Sequence, residues 1–247
     1  MRGVGVFSPV NVSPLLIFLV ALPVWAETPI SLYYYERPPY MVAKPDGSAH
    51  GITADVAAKA FALAHVPYTW NLMPAKRQLM TVERNEGRDC TIGWFKNPQR
   101  AAYGQFTHPI YRDKPPVVIA RHGFEPQTDS LAQLMKRDDL RILVKEGLTY
   151  GSYINDLLGT TRAKVSAFTV EQPQLVRMVA AGRADIMFAP REEAEFFVTG
   201  HESGTESVQV LTFGDIPAGE PRYLFCSRQV DSATMAKLNA AIDRIKP

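Results

Sequence analysis

Residues 89–111 read DCTIGWFKNPQRAAYGQFTHPIY, and the reading of this stretch decides the fold class. Asp89 to Trp94 has the character of a buried strand that ends in a glycine and two aromatics, Trp94 and Phe95. Immediately upstream, a short helix is predicted from Pro74 through Lys76, Arg77 and Leu79, ending at Gly87. A strand fits Tyr68 to Leu72, and before it Thr53 is placed to cap a helix whose Val56, Ala60, Phe61 and Ala64 share one face. The outermost piece is a strand from Ile30 to Tyr35. It delivers the loop Glu36-Arg37-Pro38-Pro39-Tyr40, where two prolines stop any regular element. Strand and helix alternate, which is the α/β signature of a mostly parallel sheet.

Downstream, the Pro-containing segment Pro109 to Pro116 interrupts this pattern, and the strand Val117 to Ala120 restarts it. Leu140 to Val144 reads as a strand and Tyr150 to Leu158 as a helix. Pro173 starts another helix, with Leu175, Val176, Val179 and Ala180 on one face, before a strand from Asp185 to Phe188. A last strand, Tyr223 to Cys226, leads to a helix capped by Ser232 with Met235, Leu238, Ile242 and Ile245 aligned. Two α/β units in series predict two lobes. No internal repeat or low-complexity run disturbs them.

The N-terminus carries Arg2 and then an apolar run from Pro14 to Ala26, with small residues Val24 and Ala26 ahead of Glu27. That is the pattern of a cleavable export signal over residues 1–26. The run is shorter than the roughly 20 residues a membrane span needs, and Pro23 breaks it. No cysteine lies beside the cleavage point, so no lipid attachment is expected there. With 27 Lys and Arg against 25 Asp and Glu, charge is nearly balanced. No basic block interleaves with aromatics, which argues against a nucleic-acid partner. The histidines, at 50, 65, 108, 122 and 201, lack ligand spacing, so neither a metal site nor a cofactor is expected. The motifs H-E-x-x-H, G-x-S-x-G, P-loop and G-x-G-x-x-G are all missing, and no catalytic residue is assigned. Cys90 and Cys226 are an even pair in an exported chain, where a bridge is expected and two buried thiols are the competing arrangement.

The order of these pieces resembles the solute-binding proteins that serve polar amino-acid importers (periplasmic solute-binding protein family 3). The landmarks are Pro38-Pro39-Tyr40, Asp46-Gly47, Gly51 to Asp55, and Gly87-Arg88-Asp89 before a strand. Most specific is Lys96 to Arg100 followed by Phe106 to Tyr111, similar to the family's "T-x-x-R … F-s-x-P-y" segment. Gly147-Leu148-Thr149 resembles its Gly-Thr-Thr turn, and Ala181 to Asp185 its "x-G-x-x-D" element. The resemblance covers essentially the whole chain after the expected signal over residues 1–26. It implies an α/β, two-lobed periplasmic-binding-protein fold (type II, Venus-flytrap), crossed twice near residues 112–117 and 214–222. Lobe 1 would take residues 27–114 plus 219–247, and lobe 2 residues 115–218. It also implies a monomer in the periplasm that holds a small polar or anionic, amino-acid-like ligand for an ABC permease. The same fold places Cys90 and Cys226 on adjacent strands of lobe 1.

The resemblance gives Arg100 the ligand's carboxylate, which a guanidinium meets with two parallel hydrogen bonds. Thr149, with the backbone after Gly147, would complete that clamp at a helix N-terminus; a plain helix cap is the other reading of Thr149. Tyr34, Tyr35, Tyr40, Trp94, Phe95 and Tyr150 are the aromatics expected near the cleft, about half of them facing inward, for an apolar or flat part of the ligand. Glu36 and Arg77 are candidates because each sits at an element end that this topology points toward the cleft. One departure is informative. Relatives that bind α-amino acids commonly carry an Asp five residues beyond the Asp185 position to accept the ammonium, and here that residue is Pro190. Glu192 and Glu193 follow, and the expectation for them is a surface charge complementing a helix dipole. Two other functions stay open. One is a lyase resembling cyclohexadienyl dehydratase, with Glu36 or Glu192 as acid or base; the other is a sensor that reports to a membrane receptor.

Overall fold

The structure is a computed structural model that describes residues 1, 3, 5, 28–197 and 207–245. The expected export signal lies outside these residues apart from isolated positions at its start. Among the described residues, no helix is long and apolar enough to cross a membrane.

The chain runs through β1 (Ile30–Tyr34), a small ribbon of β2 (Val42–Ala43) and β3 (Ala49–His50), α1 (Ile52–Leu63), β4 (Tyr68–Leu72) and α2 (Ala75–Arg84). It continues through β5 (Asp89–Phe95), α3 (Pro98–Tyr103) and β6 (Gln105–Arg112). It then crosses into β7 (Val117–Arg121), α4 (Leu131–Leu134), β8 (Arg141–Lys145), α5 (Ser152–Thr160), β9 (Lys164–Phe168) and α6 (Gln172–Ala180). After β10 (Ile186–Ala189), α7 (Arg191–Phe196) and β11 (Val208–Leu211), it returns as β12 (Pro221–Cys226) and α8 (Ser232–Ile245).

These elements form two lobes, each on a five-stranded sheet, with strand orders β4-β1-β5-β12-β6 and β11-β7-β10-β8-β9. The expectation of mostly parallel sheets is corrected, because both are mixed. β4, β1 and β5 run parallel, and so do β10, β8 and β9. The strand that follows each crossing, β7 or β12, inserts antiparallel to both its neighbours. This makes the architecture reciprocal. Each lobe receives the chain from the other on the strand next to an edge of its own sheet.

Packing explains the apolar runs. In β7 and β10, Val118, Ala120, Ile186 and Phe188 enter one core while Val117, Ile119, Met187 and Ala189 enter another on the opposite face. A strand covered on both faces has no polar side to show, so it reads as a continuous apolar run. In the first lobe Ile30, Leu32 and Tyr34 of β1 pack with Phe61 of α1 and with Leu238 and Ile242 of α8. The C-terminal helix therefore belongs to the first lobe's core. Cys90 and Cys226 face one another across β5 and β12 and form a disulfide.

Three helix ends differ from expectation. Thr53 does not cap α1; it is buried, and its hydroxyl donates to the Tyr40 carbonyl at 3.1 Å. The cap is instead the Pro39 and Tyr40 carbonyls, which accept the N–H groups of Ile52, Thr53 and Ala54. Helix α2 stops at Asn85, which takes the left-handed conformation, ahead of Gly87. At α8 the carboxylate of Asp231 accepts the Thr234 N–H at 2.8 Å, so Asp231 rather than Ser232 caps the helix.

β6 and β12 stay paired up to Arg112 opposite Pro221, so the two crossings leave the first lobe side by side. The Asp113 N–H donates to the Glu220 carbonyl at 3.2 Å. Gly219 permits this approach, since a Cβ there would run into the carbonyl oxygens of Asp113 and Lys114.

Candidate functional site

The carboxyl-terminal ends of β1, β5, β8 and β10 point at the junction of the lobes, the place where open α/β sheets present their loops to ligands. A cavity of about 170 Å³ lies there. Its walls come from four directions: Arg37 and Phe95 from the first lobe, Leu148 to Ile154 at the start of α5, Ala189 and Pro190 after β10, and both crossings with Arg222. Much of the lining is apolar, including Phe95, Pro116, Ile154, Pro190 and Ile216.

Around it the two lobes bond directly. Arg37 Nε donates to Glu193 Oε1, and an Arg37 Nη1–H goes to Tyr35 Oη at 2.9 Å. Glu192 collects three donors from outside its own lobe's helices. These are the Tyr111 hydroxyl at 2.6 Å, the Lys114 backbone N–H at 2.9 Å and the Tyr40 hydroxyl at 3.1 Å. Burial alone raises a carboxyl pKa, but these bonds outweigh it and hold Glu192 below its ordinary value. Arg37 is shifted up, with Glu193 overcoming the opposing effect of burial. The expectation that Glu192 and Glu193 are surface charges is thus corrected: both are buried. The first turn of α7 faces the opposite lobe's loop, not solvent.

A second ion pair forms the cavity floor. Arg222, only 2% exposed, donates to both oxygens of Asp113 at 2.6 and 2.7 Å and to the Gly93 carbonyl at 2.9 Å. Its guanidinium lies between the rings of Tyr40 and Phe95, 4.3 and 4.5 Å from their centroids.

Of the residues singled out in the sequence, Phe95, Thr149 and Tyr150 line the cavity. Burial pushes the Tyr150 phenol up to about 12, so it stays protonated, and its oxygen accepts the Lys145 N–H. Tyr40 lies one layer back, beneath Arg222. Trp94 and Arg100 lie outside the lining as a contacting pair, with the guanidinium 4.8 Å from the indole ring. Arg100 is buried and gives one N–H to the Phe95 carbonyl at 2.8 Å. No carboxylate pairs with it among the described residues, and burial lowers its pKa. The Trp94 indole nitrogen is also buried without a partner. Glu36 and Arg77 lie outside the cavity and are exposed. Glu36 spends an oxygen on the Ala43 N–H at 2.9 Å, bracing the small ribbon. The N–H at the start of α5, which the resemblance offers to a ligand's anion, is occupied: Ser152 N–H donates to Glu220 Oε1 at 2.6 Å.

Arg37, Asp113, Glu220 and Arg222 are site residues that sequence reading did not single out. Asp113 and Arg222 lie 109 residues apart and meet only through the β6–β12 register. For Arg37 a signal existed, a charge between a strand end and two prolines, but adjacent Glu36 carried the same one. Among the described residues no group of three metal-ligating side chains converges.

The sequence profile of the bacterial extracellular solute-binding proteins, family 3, matches residues 32–247. Among solved structures, an ancestral arginine-binding protein bound to arginine is 17% identical with a TM-score of 0.69, covering 87% of this chain and 91% of its own. Holo ArgBP from T. maritima is 15% identical with a TM-score of 0.68, covering 88% and 89%. An ancestral amino-acid-binding protein described as a precursor of cyclohexadienyl dehydratase is 16% identical with a TM-score of 0.68, covering 88% of each chain. At such identities the likeness shows the fold. No curated protein matches the chain.

Proposed function

The chain belongs to the bacterial extracellular solute-binding proteins, family 3, and from that premise we propose that it traps a small amino-acid-like solute with an anionic group between its lobes. Export by the leader over residues 1–26 places it in the periplasm. There it acts as a monomer and hands the solute to an ABC permease of the inner membrane. The lobes of this proposal are residues 27–114 plus 219–247 and residues 115–218.

The observation that carries the reading is the composition of the cavity wall, which takes residues from both lobes and both crossings. A solute in that position touches both lobes only when they are closed. Its binding energy is therefore differential between open and closed states, which is what drives closure.

The Arg100–Trp94 pair supports an anionic group. A buried guanidinium with one backbone acceptor and no counter-charge is expensive, and the indole N–H beside it is unsatisfied. A ligand carboxylate supplies both deficits. Phe95 links this pair to the cavity, since it is a lining residue and its carbonyl accepts from Arg100. The carboxylate is placed on the Arg100 side of Phe95 and the remainder of the solute on the cavity side.

Capture rather than conversion is also supported by the carboxylates. Glu36 is outside the cavity, and Glu192 is engaged by three donors that keep it ionised. Neither is poised to give a proton to a bound solute.

A thermal-melt screen of the mature chain against amino acids, polyamines, organic acids and peptidoglycan fragments tests the reading. A ligand at 100 times its dissociation constant adds about 2.7 kcal/mol of apparent stability. Arg100→Ala is expected to remove that increment while leaving the unliganded melt close to wild type. Equal stabilisation of the variant by the same ligand would show that Arg100 holds no part of it.

A further inference from the structure

We propose that the first turn of α7 is a latch, which closes the lobes of this chain on one another before a solute arrives. The inference rests on the reading of two lobes that close, and adds to it a part of closure that the chain supplies by itself.

Both partners of each bond in the latch belong to the chain. Glu193 of the second lobe accepts the Arg37 Nε–H of the first, and its other oxygen accepts from Gln172 Nε2 at 3.3 Å. Arg37 gives a further N–H to Tyr35 Oη at 2.9 Å and lies over the Tyr40 ring, 5.4 Å from its centroid. Beside this pair, Glu192 Oε2 accepts from the Tyr40 hydroxyl at 3.1 Å. The Arg37 and Glu193 side chains are only 10% and 0% exposed. Charges so far out of water attract strongly, and the cost of burying them is offset where their remaining polar atoms also find partners. Here both oxygens of Glu193 and two nitrogens of Arg37 are engaged.

Each half of the latch is ordered by its own surroundings. Glu192 Oε1 accepts from the Tyr111 hydroxyl and the Lys114 N–H at the first crossing. The start of α7 is thereby tied to the pivot, and its travel during opening is short. On the other side, Arg37 sits in a tight loop: its N–H donates to the Met41 carbonyl at 2.8 Å, and its carbonyl accepts from the Tyr40 and Met41 N–H groups at 2.9 and 3.0 Å. Groups ordered in advance and kept near one another lose little freedom when they meet, so more of their attraction remains as net closure. Losing either charge strands the other in a buried position, and opening the lobes is the way to hydrate it.

The test is small-angle X-ray scattering by the full mature chain with no solute added. Wild type is expected to scatter as the closed arrangement described above. Arg37→Met and Glu193→Gln, which remove the ion pair from opposite lobes, are each expected to scatter as a more extended particle with a larger radius of gyration. Glu193→Gln keeps the size of the side chain and an oxygen for Gln172, and it decides the matter alone if Arg37→Met does not fold. An extended wild type, or a Glu193→Gln variant as compact as wild type, overturns the latch. With a solute found in the melt screen, Glu193→Gln is expected to bind about threefold or more weakly, because less of the variant is in the closed, binding-competent form. Equal affinity also overturns the latch. These failures leave solute capture standing, since the scattering is measured without a solute; capture fails separately, if no solute raises the melt of wild type.

Discussion

Arg222→Ala is expected to lower the unfolding free energy of the mature chain by about 3–5 kcal/mol, the cost of leaving a buried partner charge uncompensated. Arg222 and Asp113 are 2% and 7% exposed, so solvent does not replace the lost guanidinium. The side chain also gives up its bond to Gly93 and its place between Tyr40 and Phe95. Domains of this size are stable by only about 5–15 kcal/mol, so the variant is expected to lose a large share of its stability. Urea unfolding measures the loss. The double variant Arg222→Met/Asp113→Leu is expected to recover much of it, because an apolar pair of similar volume carries no desolvation cost. If the double variant is as unstable as the single one, the stacking of Arg222 matters more than its charge. The pair joins the first crossing to β12, so the variant also loosens the crossing about which the proposed closure would turn.

Removing the disulfide has the second-largest effect. Cys90 and Cys226 are 136 residues apart, and a cross-link over so long a loop restricts the unfolded chain strongly. The expected loss for Cys90→Ala/Cys226→Ala is about 2–5 kcal/mol. The consequence for function is sharper. The bridge lies at the Cys90–Cys226 end of the β5–β12 pairing, while the cavity lies at the Phe95–Arg222 end of the same ladder. The variant is therefore expected to melt earlier yet gain the same increment from bound solute as wild type. A smaller increment would mean that the bridge shapes the cleft as well as stabilising the lobe.

How legible this protein is depends on how local each feature is. Strand β4 occupies the predicted Tyr68 to Leu72, and the helices α5, α6 and α8 fall within two residues of expectation. Each is signalled by a few neighbouring side chains. Strand β9 escaped notice because KVSAF lies at a sheet edge with three of its five residues exposed and none buried, so no apolar run marks it. Strand β6 was obscured by Pro109, which a strand at the edge of a sheet tolerates. In the site, Phe95, Thr149 and Tyr150 could be placed because each follows a recognisable strand. Glu193, Arg222 and Glu220 could not. Their chemistry depends on which residue stands opposite in the other lobe or the neighbouring crossing, and sequence spacing does not encode that.

The most direct test of solute capture between the lobes is a crystal structure of the mature chain grown with the solute that gives the largest melt increment. The account predicts that solute enclosed between the lobes, against Phe95 and Tyr150, with atoms in contact with both sheets' loops. A solute bound on the outer face of one lobe, with the cleft vacant, would contradict it.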